Sequence, residues 1–362
     1  MSRIRTRDGL TLAYESMGPV DAPTVILIMG LGAQMHVWPT SLCQQLVLAG
    51  YRVIRFDNRD TGASSSLDHA GNPSLIRAWL AGRLNRGSPI PYTLKDMSRD
   101  VLALMDALEL PSAHLIGASM GGMIAQRLAA KKRRRVRSLT SIMSSASLPR
   151  LPVRQWQVLL QLAKRPARDD RHAHRHYLNR LNAVMGSPAY PMTEEEIHQL
   201  AERNWQRQAS PHGVKRQLAA ITHAGDRRRL LRKIKVRTLV IHGADDPLIP
   251  VTQGIETASL IPDARMRVVL GMGHDFPEAL VPKLSKMLIK HLNKSEKRWM
   301  KRHKRRTSNT ERQQSSPTSP DMPVIHDPMA WLDPPDSAES PGSSDNHANN
   351  RQAEAKAGTG TK

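Results

Sequence analysis

HLIGASMGGMIAQRLAA, residues 114–130, divides into a short apolar run, a glycine-bracketed serine and a helical pattern. Its centre, Gly117-Ala118-Ser119-Met120-Gly121, matches G-x-S-x-G. With Gly and Ser each at roughly 7% of residues, the pattern arises by chance in about one chain in eight of this length, so its flanks carry the weight. A strand that turns sharply into a helix at the serine holds that residue in a strained conformation, its oxygen exposed above a sheet. Glycines on both sides are expected because a side chain there would clash within the turn. A Gly/Ser-rich connection with no chemistry is the bland alternative.

Outward from this turn, short β-type runs alternate with helical patterns, as in an α/β fold with a mainly parallel sheet. The strand candidates are Thr24–Gly30, Tyr51–Asp57, Ala113–Ser119, Val136–Ser144, Arg237–Gly243 and Arg265–Gly271. Several are continuous apolar runs, the pattern of strands covered by helices on both faces. DGLTLAYES (8–16) alternates and is expected to be an antiparallel edge strand. Leu94–Leu110 places Val101, Leu102, Met105 and Leu108 on one helical face. From about Ser145 to Asp226 only helical candidates remain: Arg154–Ala163, His172–Met185, Thr193–Gln208 and Gly213–Thr222. Thr193 and Glu196 form a capping-box pair. This stretch reads as a helical cap between two core parts, 1–144 and 227–293. After that, Lys294–Arg306 reads as the basic end of a last helix, and the rest of 294–362 as a disordered Ser/Pro-rich tail. Met329–Leu332 in that tail is an apolar patch, read as a chance cluster, with a docking motif as the alternative.

The chain has 362 residues, 54 Lys+Arg against 32 Asp+Glu, and a net charge of +22. Its length allows one large or two modest domains with a sizeable core. One cysteine, Cys43, excludes a disulfide-stapled scaffold and a zinc site built on thiolates. No apolar run approaches the roughly 18–20 residues of a membrane span, and Met1–Gly9 does not read as a signal peptide, so the cytoplasm is the expected compartment. The positive charge gathers at 131–135, 150–235 and 294–312 without aromatic interleaving or Cys/His spacing. It reads as solvated surface that is sticky at low salt, not as a specific nucleic-acid site.

A serine nucleophile needs a base, and the base an orienting carboxylate, in the chain order Ser, Asp or Glu, His. His274, in GMGHD after the last strand, is the candidate base. His242, inside VIHGADD, reads as structural, as do His223 and His291 on helical patterns. Asp275 reads as a local hydrogen-bonding residue. For the acid, the loop after Arg237–Gly243 offers Asp245 and Asp246; Asp246, directly before Pro-Leu-Ile-Pro, is preferred and Asp245 held in reserve. The oxyanion formed on attack needs preorganised N–H donors. The backbone of Met120 should supply one and that of Leu31 the other, where Gly30 and Gly32 admit close approach. Trp156 and Trp205 in the cap either line an acyl pocket or pack between helices. His172, His174 and His176 suggest a metal, but their side chains point about 200° apart at alternate helical positions, so no metal is expected.

Taken together, these residues resemble the α/β-hydrolase superfamily, and more narrowly its aclacinomycin methylesterase-type group, over roughly Arg3 to Leu292. The matching stretches are LIMGLGAQMHVWP, GYRVIRFDNRDTGASS, LIGASMGGMIAQRLAA, GVKRQLAAITHAGDR, LVIHGADDPLIP and IPDARMRVVLGMGHDFP. The resemblance implies a mostly parallel eight-stranded sheet flanked by helices, with a cap after strand 6. It implies a serine hydrolase of small-molecule carboxylic esters without cofactor, using Ser119, Asp246 and His274, and a structural DNRDTG turn held by Asp57 and Arg59. The chain departs from the pattern at Met29-Gly30, where His-Gly is common, and at Arg237, where proline is usual. Cofactor-free perhydrolysis on the same triad is the alternative chemistry, and a non-catalytic binding protein the alternative of another class. Oligomeric state is not legible.

Overall fold

The computed structural model describes residues 1–84, 90–147, 158, 170–207 and 212–314. Met1–Asn309 gather into one compact unit. Eight strands make one sheet: β1 (Ser2–Arg5), β2 (Thr11–Met17), β3 (Thr24–Ile28), β4 (Arg52–Phe56), β5 (Ala113–Ala118), β6 (Val136–Ile142), β7 (Arg237–Gly243) and β8 (Arg265–Val269). The spatial order is β1-β2-β4-β3-β5-β6-β7-β8. The pairings of β2 with β1 and β4 are antiparallel, and all the others are parallel. One expectation is corrected: DGLTLAYES supplies β2, which is not the edge. Ser2–Arg5 pairs with it, Arg5 opposite Thr11, and takes the edge. With only four residues and one apolar side chain, Ile4, SRIR carries no alternation long enough to read.

The helices are α1 (Thr40–Leu48), α2 (Leu75–Leu84), α3 (Leu94–Ala107), α4 (Met120–Lys131), α5 (Arg171–Met185), α6 (Glu194–Gln206), α7 (Gly213–Ala224), α8 (Arg228–Leu231), α9 (Val251–Leu260) and α10 (Val281–Gln314). The period of two along each strand sorts the core into two layers. Ile26 and Ile28 of β3 pack with Val101 and Leu104 of α3 and Ile124 of α4 on one face. Val25 and Leu27 pack with Leu42 and Leu46 of α1 and Leu284 and Leu288 of α10 on the other. Each such side chain, fully withdrawn from water, contributes about 1.5–3 kcal/mol relative to exposure, so the sheet is fixed from both sides. The unbroken apolar strands follow from this double cover.

Between β6 and β7 come α5, α6 and α7, the position expected for the cap. At the start of α6 the capping box is in place: Thr193 Oγ1 accepts from the Glu196 amide at 3.2 Å, and Glu196 Oε2 accepts from the Thr193 amide at 2.6 Å. Ala219, Ala220 and Ile221 of α7 join the first core layer, so the last helix of this stretch belongs to the core packing. The candidate helix Arg154–Ala163, with Trp156, lies outside the described residues except for Val158, which packs on Leu248 and Ile249. α10 extends to Gln314, beyond the Arg306 end expected; Met329–Leu332 and the remaining tail lie outside the described residues. Among the described residues no helix is long and apolar enough to cross a membrane.

Candidate active site

Ser119 joins β5 to α4 at φ 52° and ψ −119°, a left-handed conformation that side chains other than glycine rarely adopt. Strain of this kind costs about 1–3 kcal/mol and persists only where the surroundings over-determine it. Here the Ser119 N–H donates to Ile142 O at 2.9 Å, and its carbonyl accepts from Gly122 N at 3.0 Å and Ser144 Oγ at 2.8 Å. A Cβ on Gly117 would overlap the Gly121 carbonyl, and one on Gly121 the Ile28 carbonyl. The G-x-S-x-G spacing is thus enforced by backbone packed against backbone.

Asp246 follows β7 and His274 follows β8. The Asp246 side chain is fully buried, and both of its oxygens are used. Oδ1 accepts from Leu248 N at 2.9 Å and Ile249 N at 2.8 Å. Oδ2 lies 2.7 Å from His274 Nδ1 and 3.5 Å from His242 Nε2. Burial opposes ionisation, but the field of His274 and hydrogen bonds from His242 and His274 outweigh it and hold the carboxyl below its usual range. An ionised carboxylate only accepts, so Nδ1 of His274 carries the hydrogen and Nε2 is left free to take a proton. Asp245 instead accepts from Gly271 N at 2.8 Å, and Asp275 accepts from the Ser187 amide at 3.1 Å. The histidine loop is anchored to the end of α5: His274 N donates to Met185 O at 2.8 Å, and Gly273 N to Ser187 Oγ at 2.9 Å. His242, read as structural, donates Nε2–H to Ile249 O at 2.8 Å and packs beside Asp246.

The loop after β3 approaches Ser119 closely: a Cβ on Gly30 would sit 3.1 Å from the Ser119 Cβ. Among the described residues neither Leu31 N nor Met120 N has a hydrogen-bond acceptor. The next amide, Gly32 N, donates to Gln217 Oε1 at 2.7 Å. Gln217, fully buried, donates through Nε2 to Arg59 O and Thr61 Oγ1, both at 2.8 Å. It bridges α7, the loop after β3 and the DNRDTG turn. Sequence reading missed this residue. The available signal was its place between the buried Val214 and Ile221 on one face of α7, a polar side chain in an apolar stripe. In the DNRDTG turn, Asp57 accepts from Met35 N at 2.8 Å and Ala63 N at 2.9 Å and pairs with Arg207 at 2.6 Å. Burial pushes its carboxyl up against the pull of Arg207. Arg59 pairs with the buried Asp100.

Ser119, His274, Gly30, Leu31 and Gly32 line one cavity of about 510 Å³ between the sheet and the helical insert. Its wall is mainly apolar, with Val37, Leu181, Met192, Leu200 and Phe276 prominent. No hydrogen bond joins Ser119 Oγ to His274 among the described residues; such contacts commonly tighten only when substrate is bound. Asp246 stands behind His274, and Met120 behind Ser119. Trp205 does not line the cavity; its neighbour Asn204 does, because successive helical residues point about 100° apart. Of the three alternate histidines, His174 lines the cavity. Among the described residues no group of three His, Cys, Asp or Glu side chains is placed to hold a metal.

A family model described as alpha/beta hydrolase fold matches residues 23–278. The chain is 27% identical over 326 residues to rhodomycin D methylesterase DauP of Streptomyces sp., covering 80% of this chain and 97% of that protein. It is 25% identical over 254 residues to 3-oxoadipate enol-lactonase 1 of Acinetobacter baylyi, covering 69% and 82%. The crystal structure of the enol-lactonase from Burkholderia xenovorans LB400 superposes with a TM-score of 0.62 at 24% identity, covering 81% of this chain and all of that one. The eight-stranded order, the serine turn and the family match over most of the chain agree: this protein belongs to the alpha/beta hydrolase fold family.

Proposed function

We propose that this chain hydrolyses carboxylic esters through an acyl-enzyme, with Ser119 as nucleophile, His274 as base and Asp246 as orienting acid. The observation that carries the reading is the 2.7 Å bond from His274 Nδ1 to a fully buried Asp246, with His274 and the strained Ser119 on one cavity. As Ser119 Oγ attacks the ester carbon, its proton passes to His274 Nε2 and the carbonyl electron pair moves onto oxygen. The N–H groups of Leu31 and Met120 receive that oxyanion. Collapse expels the alcohol, which takes the proton from the imidazolium, and water repeats the sequence to release the acid. Asp246 holds the tautomer and stabilises the imidazolium without itself accepting the proton. The apolar wall suits an ester with an uncharged, hydrophobic body, and similarity to a methylesterase and an enol-lactonase favours ester over amide substrates.

A panel of p-nitrophenyl and methyl esters tests this on wild type and Ser119→Ala. Short to medium acyl esters should turn over, and the variant should lose at least about a thousandfold in kcat/KM. A fluorophosphonate probe should label Ser119. Undiminished turnover in Ser119→Ala, or labelling of another serine only, would remove the proposal.

A further inference from the structure

A second, smaller pocket of about 170 Å³ lies where β7 and β8 face α10. Arg237 is the first residue of β7 and Arg265 the first of β8, whereas Asp246 and His274 follow the other ends of these strands. A seven-residue strand is about 20 Å long, so this pocket sits at the opposite end of the sheet from the ester site. Two periodicities converge on it. Arg265 and Arg267 are two apart on β8 and share a sheet face, while Lys290, His291 and Lys294 recur at helical spacing on α10, with Lys286 one turn earlier.

Six cations, Arg237, Arg265, Arg267, Lys286, Lys290 and Lys294, thus line one small pocket, and no carboxylate lines it. None of the six forms an ion pair among the described residues. Burial pushes the Arg237 guanidinium pKa down, helped by the repulsion of Arg265 and Arg298, with Asp263 opposing. Within this charge are two buried polar atoms with no hydrogen-bond partner among the described residues, Arg237 Nε and Nε2 of His291, a residue only 5% exposed. Buried polar atoms in folded proteins are mostly partnered by protein, water or an ion, and here the two face a pocket ringed by positive charge. Charged residues on an edge strand also deter pairing with another chain, but that accounts only for Arg265 and Arg267. The lysines across the pocket and the orphaned imidazole need another reason.

We propose that this pocket binds a small phosphate-class anion carrying at least two negative charges. Such a group cancels the repulsion among the cations, offers oxygens to the Arg237 Nε–H and, in its singly protonated form, offers a P–OH to the Nε2 lone pair of the neutral His291. The concave shape, walled by sheet and helix, suits a compact phosphate group; the rigid rod of a duplex would meet only its rim.

The test is calorimetric titration with inorganic pyrophosphate at about 0.15 M salt, where a Debye length of about 8 Å screens diffuse attraction by distant charges. Wild type should bind saturably with one-to-one stoichiometry. Arg265→Gln/Arg267→Gln should weaken binding at least about tenfold, the loss expected for removing charge-assisted hydrogen bonds. Lys131→Gln/Lys132→Gln removes the same charge elsewhere and should stay within about twofold of wild type. Unchanged ester hydrolysis in the Arg265/Arg267 variant would show that it is folded. Vesicles containing phosphatidic acid, added with and without pyrophosphate, separate the sources: competition identifies a lipid headgroup, and no vesicle binding identifies a free phosphate compound. Absence of saturable binding, equal weakening by both double variants, or binding of duplex DNA that pyrophosphate does not displace would each overturn the proposal.

Discussion

Replacing Gln217 by leucine removes three hydrogen bonds at once, those with Gly32 N, Arg59 O and Thr61 Oγ1. Leaving a buried polar group unsatisfied costs about 1–3 kcal/mol, so Gln217→Leu should lose roughly 3–6 kcal/mol of stability once partial relaxation is allowed. The more informative effect is kinetic. Gly32 N–H is the amide next to Leu31, and losing its bond to Gln217 loosens the loop that carries the proposed oxyanion donor. Loss of one such donor lowers kcat by about 10²–10³, equivalent to about 2.7–4 kcal/mol. KM should change little, because Gln217 does not line the cavity. Gln217→Glu retains an acceptor for Gly32 while losing the amide donor, so it should keep more of kcat than the leucine variant despite being destabilised. The assay is steady-state hydrolysis of a p-nitrophenyl ester well below the melting temperature, paired with urea denaturation. A folded Gln217→Leu protein with kcat within about twofold of wild type would refute the positioning argument.

Asp246→Asn keeps the size of the side chain but cannot stabilise the imidazolium, and should lower kcat by about 10³–10⁴ with the fold intact by circular dichroism. The pKa of His291 is driven down to about 3, first by burial and then by Arg237, His114 and Arg265. Since the unfolded chain takes up that proton near pH 6.5, stability should fall with acidification; this single group removes about 2 kcal/mol between pH 7 and 5. His291→Gln, compared by urea denaturation in phosphate-free buffer, should lack that component of the slope. Cys43 is fully buried, and burial raises its thiol pKa to about 11. A disulfide reagent at pH 8 should therefore leave it unmodified in the native protein and titrate one thiol in urea; rapid reaction with the native form would show the α1 layer to be open.

The central sheet was readable because burial on both faces requires short, nearly continuous apolar runs in place of alternation, and β3 and β7 show them. Chain order and strand ends likewise singled out Asp246 and His274, which the structure brings within 2.7 Å of each other, with His274 and Ser119 lining one cavity. What escaped the sequence rests on contacts between distant segments. Ser2–Arg5 becomes a strand only because β2 offers it an edge. Gln217 gains its role from Gly32, 185 residues earlier, and nothing local to α7 announces that bond. The direction in which Trp205 and Asn204 point depends on how α6 is rotated against the core, and its stripe of Ile197, Leu200 and Ala201 does not decide which of positions 204 and 205 meets the cavity. Arg237, noted only as a departure from proline, gains meaning when β7, β8 and α10 bring five further cations around it.

The pairing of Arg207 with Asp57 bears on how molecules enter the large cavity. Arg207 caps α6, and Asp57 is wholly buried beneath it. Swinging that helix outward would strand a carboxylate in a dry interior, a loss of several kcal/mol when a buried charge is left without its counterion. The Gln34–Asn204 contact would be forfeited with it. The roof over Ser119 is therefore moored on this side, through a pair whose rupture costs more than the loss of a surface contact.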